Sequence, residues 1–232
     1  STGISLSSSI SGTTFSWTAT STDVSGANLD NGNIISQILT ATGTLVGNVV
    51  YTITPTYNGC PGIPIQATVL VTPKPIITAT PNSTSICSGS TAIIALSSTM
   101  PNTVFSWNLV QNNITGGLSG TGSSISQNLS TISNASGNAV YAITPNVNGC
   151  PGTTTIVTIT VNPIPVVTVN PALGQTICSG ATTAISLSSP VINTTYDWSV
   201  TQTNLNGTFS GSGTTIAQTL STVLPSIGTA TY

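Results

Sequence analysis

The chain has 232 residues, of which only 2% are charged: one Lys, three Asp, and no His, Arg or Glu. An ordinary soluble domain is about 25% charged, so most side-chain chemistry is missing. There is no imidazole for proton transfer or metal ligation, too few acids for a calcium cage, and a single Lys74 to set against a phosphate backbone, which excludes nucleic-acid binding.

The elements recur along the chain with a fixed period. Trp17, Trp107 and Trp198 are 90 and 91 residues apart, as are Tyr51, Tyr141 and Tyr232, and Gln37, Gln127 and Gln218. Cys60 and Cys150 are 90 apart, Cys87 and Cys178 are 91 apart. A period of this size marks a stack of small domains. In chain order the reading is a partial copy at 1–72, a complete copy at 73–162 and a partial copy at 163–232. The boundaries fall at Thr72-Pro73-Lys74-Pro75 and Asn162-Pro163-Ile164-Pro165. Pro-x-Pro fixes φ, removes two backbone donors and favours extended geometry, so each joint is short and stiff. Ser1 aligns with Thr91 and Tyr232 with Tyr141, both inside strands, and the expectation is a section of a longer repeat protein.

Within the complete copy, seven strands are expected: 76–80, 91–98, 103–109, a weak one near 114–119, 123–130, 138–145 and 154–161. Most are rich in β-branched residues and bounded by Gly, Pro, Asn or Ser. Phe105, Trp107 and Leu109 share one face of a strand; Ala139, Tyr141 and Ile143 share a face of another, as do Val157, Ile159 and Val161. No stretch sustains a 3.6-residue period, so no helix is expected, and no apolar run approaches the length of a membrane span. The predicted class is all-β, a linear array of immunoglobulin-like sandwiches, with a Trp on the third strand and a Tyr on the sixth; an up-and-down barrel is the alternative. Residues 1–10 carry no basic leader region.

Three residue sets stand out. Trp17, Trp107 and Trp198, with Tyr51 and Tyr141, are read as core aromatics, because a chain with 5% aromatic residues needs them inside. The repeated Ile-x-Gln-x-Leu places Gln37, Gln127 and Gln218 on the same face as Ile and Leu. A buried amide must find partners, and loop backbone at the edge of the core is the expected one. Sequon-like triplets at Asn82, Asn113, Asn128, Asn134, Asn193 and Asn206 are what chance produces in a chain this rich in Asn, Ser and Thr.

The four cysteines, Cys60, Cys87, Cys150 and Cys178, are disulfide candidates in a Ser/Thr-rich chain of an oxidising compartment. They form no CxxC or Cys/His cluster for a metal, and there is no base to make a catalytic thiol. A Cys87–Cys150 bridge within the complete copy would contribute about 4 kcal/mol on a chain-entropy model. Sandwich topology places those turns at opposite ends, whereas bridged Cα atoms lie within about 7 Å. Staples between neighbouring domains therefore rank ahead of it: Cys87 with a cysteine beyond Tyr232, and Cys150 with one before Ser1. Cys60–Cys87 ranks last.

The ordered set of Pro-x-Pro, Ile-Cys-Ser-Gly, Phe-Ser-Trp, Ile-x-Gln-x-Leu, Tyr-x-Ile-Thr-Pro, Asn-Gly-Cys-Pro-Gly and Val-Asn-Pro resembles the PKD-like repeat of giant Bacteroidetes surface proteins, gliding-motility adhesins among them. The resemblance implies an immunoglobulin-like sandwich, export by type IX secretion, and display on the bacterial surface as a filament. The partners it implies are neighbouring repeats, the secretion or gliding machinery, and external surfaces or glycans. It implies no catalytic residue and no cofactor.

The function expected is a structural stalk segment of a cell-surface adhesin, each copy advancing the stalk by about 30–45 Å. The alternative is a glycan- or surface-binding module using Thr/Asn-rich loops; its one hint is Asp23 and Asp30, which the other copies lack. An enzyme is not expected, and an isopeptide crosslink fails because Lys74 lies alone in a joint.

Overall fold

In the first copy, apolar residues at every second position build three long strands: β1 (Thr14–Thr22), β2 (Gly47–Tyr57) and β3 (Ile65–Val71). β1 pairs antiparallel with β2, and β2 with β3. Val49, Tyr51 and Ile53 point inward from β2 and join Trp17, Val24 and Ile35 in one core. The protein is represented by a computed structural model that describes residues 1–172 and 174–232. Among the described residues all regular structure is β, and no helix is long and apolar enough to cross a membrane.

The second copy shows the complete unit. Its strands are β4 (Ile77–Thr80), β5 (Ser83–Cys87), β6 (Ser90–Ser98), β7 (Val104–Asn112), β8 (Ser124–Thr131), β9 (Gly137–Val147) and β10 (Thr155–Asn162). One sheet has the order β4-β6-β8 and is extended by Ile114–Thr115; the other has the order β5-β10-β9-β7 and is extended by Gly120–Thr121. The two sheets face each other across a core of their own, separate from that of the first copy. Ala92, Ile94 and Leu96 from β6 and Ile125 and Leu129 from β8 meet Phe105, Trp107, Tyr141, Ile143, Val157, Ile159 and Val161. This is the immunoglobulin-like sandwich expected of the pattern.

Two details depart from the strand reading. The segment Ser83–Cys87, which is not among the seven expected strands, is a strand. It pairs parallel to β10, Ser83 opposite Thr158 through Cys87 opposite Asn162. An edge strand joined by one parallel partner carries little periodicity of its own, so its signal lies in β10. The weak strand near 114–119 resolves into two separate two-residue bridges, one to each sheet.

The third copy has shorter strands. Ile216 and Leu220 are buried, and the rest of its apolar interior lines an open cleft of about 1370 Å³ that includes Val169, Ile185, Leu187, Trp198 and Tyr232. In the second copy the matching space is occupied by Val157, Ile159 and Val161 of β10, all fully buried.

The register gives a direct test. Ile143→Ala should destabilise the second copy by ~2–5 kcal/mol, the usual range for a large-to-small change in a packed core. Ile156→Ala, on the outer face of β10, should change it by less than ~0.5 kcal/mol. Urea titration followed by the amide signals of β9 and β10 measures both; equal costs would overturn the assignment of faces.

Candidate functional site

The polar interior of each copy is organised by one glutamine. Gln127 lies on β8 between the buried Ile125 and Leu129. Its Nε2 donates to the Leu118 carbonyl at 2.7 Å, and its Oε1 accepts from the Leu118 amide at 3.1 Å. The side-chain amide thus pairs with a loop residue as one strand residue pairs with another. The second lone pair of Oε1 accepts from Tyr141 Oη at 2.7 Å. The same three bonds occur at Gln37, with Asn28 and Tyr51, and at Gln218, with Phe209 and Tyr232. Of the three, Gln218 is the one almost wholly buried.

The phenols are donors here and must stay protonated. Burial pushes the Tyr141 hydroxyl up to about 12 and raises those of Tyr51 and Tyr232. Such groups neither accept nor release protons near neutral pH, so the arrangement is a rivet between the two sheets and a loop, with no acid or base in it.

The tryptophans are placed less uniformly. Trp17 and Trp107 are buried, whereas Trp198 is half-buried at the open cleft. Trp107 Nε1 donates to the Leu118 carbonyl at 3.0 Å, the oxygen that Gln127 also uses. Among the described residues, the Nε1 atoms of Trp17 and Trp198 are buried without a partner.

Asp23 and Asp30 do not converge. Asp30 pairs beside Trp17, within the sheet, and its Oδ1 accepts from the Asn31 amide. Asp23 follows the end of β1, six residues further along, about 20 Å away. No shared acidic loop forms. Asn113 and Asn128 use their side-chain amide nitrogens to hold backbone carbonyls, of Ala135 and Ser136 and of Gly89 respectively.

The cysteines mark the two ends of the sandwich. Cys87 sits opposite Asn162, at the end of β9 where Gly137 lies opposite Val161. Cys150 sits opposite Val147, at the other end of β9. Ten residues of strand separate those ends, about 33 Å, against the 7 Å or so that a disulfide allows. A Cys87–Cys150 bridge is therefore excluded by register. Cys60 lies opposite Tyr57, at the end of the first copy remote from the joint, so a Cys60–Cys87 bridge is excluded too. All four thiols are free. Among the described residues no three of Cys, Asp and their kind gather to hold a metal ion.

Residues not singled out by the sequence reading line the end of the second copy that faces the first. They are Met100, Pro145 and Val147, all buried, with Gly152 half-buried beside the joint, whose Pro73 and Pro75 are themselves buried. The repeated Asn-Gly-Cys-Pro-Gly was the available signal. Its Asn58-Gly59 and Asn148-Gly149 have positive φ at both residues, the two-residue turn that closes a tight hairpin.

The rivet predicts its own failure modes. Gln127→Leu should cost ~1–3 kcal/mol, because it leaves the hydroxyl of the buried Tyr141 without its acceptor. The raised Tyr141 value makes stability pH-dependent in one direction. Its contribution is complete below about pH 10, the unfolded value, and is lost as pH rises toward about 12. Denaturation midpoints from pH 8 to 12, compared with those of Tyr141→Phe, measure this; the variant should lose the part of the slope due to Tyr141.

No curated protein matches the chain. A family model described as the PKD-like domain matches it twice, over residues 2–75 and 84–165, and both matches end on the second proline of a joint. Tandem repeats of this kind are compatible with a structural or adhesion-related extracellular module. The matched segments cover well over half of the sequence and contain the glutamine rivets of Gln37 and Gln127, and the chain belongs to the PKD-like domain family.

Proposed function

We propose that this chain is a non-catalytic, load-bearing spacer of a secreted adhesin displayed outside a bacterial cell, its units being 1–72, 73–162 and 163–232. The observation that carries the reading is the path of the chain through the second copy. It enters beside Ile77, which lies opposite Ser98, and leaves at Asn162, at the far end of β9. Entry and exit at opposite ends make each copy add length. An eleven-residue strand spans about 37 Å.

The same path sets how force acts. Tension enters through the joint into β4 and β5 and leaves through β10. Because β5 and β10 run parallel over five residue pairs, pulling on the ends shears those rungs together instead of opening them one at a time. Near-neutral surfaces add a second property: with 2% charged residues, contacts between copies escape ionic screening. Delivery by type IX secretion and a role in adhesion or gliding rest on the family resemblance.

Disulfide staples between neighbouring copies belong to this reading. The positions of Cys87 and Cys150 support them, since each thiol stands at an end of the sandwich where the chain joins a neighbouring copy.

Two measurements test the proposal. Small-angle scattering should give a rod about 100 Å long, with the same maximum dimension in 50 mM and 1 M salt; a compact particle would sink the stalk reading. Appending a second copy of residues 142–162 after Tyr232 should fill the open cleft and bring an Asn-Gly-Cys-Pro-Gly loop to the junction of the second and third copies. Under oxidising conditions, non-reducing peptide mapping should then show Cys87 joined to the appended cysteine. A bridge to Cys150 of the same chain would overturn the staple.

A further inference from the structure

Asn-Gly pairs stand at Asn31-Gly32, Asn58-Gly59, Asn148-Gly149 and Asn206-Gly207. In each, the Gly nitrogen can attack the side-chain carbonyl carbon of the Asn before it, since Gly has no Cβ to crowd the approach. The nitrogen must give up its proton to do so, and a hydrogen bond that holds the N–H to a fixed acceptor opposes the step. The fold treats the pairs differently. The Gly32 amide donates to the Phe15 carbonyl at 3.0 Å. Gly207 is packed against its paired strand, where a Cβ would lie 2.1 Å from the Thr219 carbonyl oxygen. Asn58-Gly59 and Asn148-Gly149 stand in exposed turns.

Those two turns are a matched pair. Their φ values are 46° and 81° in the first copy, and 48° and 80° in the second. Both close the same hairpin, with Tyr57 opposite Cys60 and Val147 opposite Cys150. Asn148 is exposed although a copy precedes it, so exposure is a property of the turn itself. One contact separates the two. The Gly149 amide donates to Asn146 Oδ1 at 3.1 Å. The corresponding position of the first copy is Thr56, whose hydroxyl lies closer to its own backbone. Among the described residues no acceptor holds the Gly59 amide.

We propose that Asn58 is a site of spontaneous deamidation, and that Asn146 is the brake that withholds the same reaction from Asn148. The co-reactant is water. The Gly59 nitrogen loses its proton to solvent and bonds to Asn58 Cγ. The Cγ–Nδ2 bond breaks, the leaving nitrogen takes up a proton, and ammonia departs. A cyclic imide remains, and water opens it at either carbonyl to give aspartate or isoaspartate, each with a new carboxylate. Aspartate keeps the turn, because Asp tolerates the left-handed backbone as Asn does. Isoaspartate routes the main chain through the side-chain carbons and lengthens a turn whose length sets Tyr57 opposite Cys60. Both products add a negative charge to a chain whose formal net charge is −2. Contacts made at that turn then become sensitive to salt. The inference is independent of the stalk reading.

The test is a time course of the 232-residue chain at mildly alkaline pH, read by peptide mapping with mass spectrometry. Asn58 should convert ahead of Asn31 and Asn206. It should convert about fivefold faster than Asn148, the ratio set by about 1 kcal/mol of hydrogen bonding. Asn146→Thr should raise the Asn148 rate to that of Asn58, and Thr56→Asn should slow Asn58 by the same factor. Amide shifts of Tyr141 and Tyr51 report whether each copy stays folded in its variant. Where one variant fails to fold, the reciprocal change in the other copy decides. In urea, where both turns are open, the wild-type rates at Asn58 and Asn148 should converge, which holds even without the variants. Equal rates in the folded chain, a gap that persists in urea, or an Asn148 that stays slow in Asn146→Thr would each overturn the proposal. None of these outcomes depends on the length of the particle, so the stalk reading stands or falls separately.

Discussion

Three hydrogen bonds to one side-chain amide hold each copy of this protein together. Gln127 offers a donor and an acceptor spaced like those of a peptide unit, and the Leu118 backbone takes both. The remaining lone pair takes the Tyr141 hydroxyl from the opposite sheet. One residue thereby joins two sheets and a loop, at a place where a charged group would carry a large desolvation cost. The same geometry recurs in the third copy. Fully satisfied polar networks of this sort specify one packing of a small core, and a core of this size has few other means of doing so.

The same economy governs the outside. With almost no ionic side chains, the end of the second copy beside its joint is built from buried prolines, a methionine and a valine around a half-buried glycine. Such contacts depend on shape. A methyl group at Gly152 would overlap a backbone carbonyl, and backbone yields less readily than a flexible side chain. The placement of the joint on the second copy is then set by sterics and proline stiffness, neither of which responds to salt.

Burial, not chemistry, explains the unusual titration behaviour. The raised tyrosines have no charged neighbour as a cause; they sit where an anion would be poorly solvated. They are held neutral as donors to glutamine, and the sites at which sequence repetition is strictest are structural ones. Thr183, whose hydroxyl donates to the Ile216 carbonyl and accepts from the Gln218 amide, belongs to the same class.

Periodicity and alternation were legible in the chain itself. The 90-residue spacing of Trp, Tyr and Gln is a linear property, and period-two burial on β6, β9 and β10 follows from strand geometry alone, since alternate side chains leave opposite faces. The inward face of Gln127 could be read in the same way. What lay beyond the sequence were relations between distant segments. The parallel pairing of Ser83–Cys87 with β10 joins residues some 75 apart; which loop residue each glutamine meets has no side-chain signature, although a loop-backbone partner was expected; and the seat of Pro75 on Gly152 joins residues at opposite ends of one unit. Local residue types determine which face of a strand is buried. Only the closed sandwich decides which strand edges and which ends meet, because those choices are made by packing across long separations that no local pattern records.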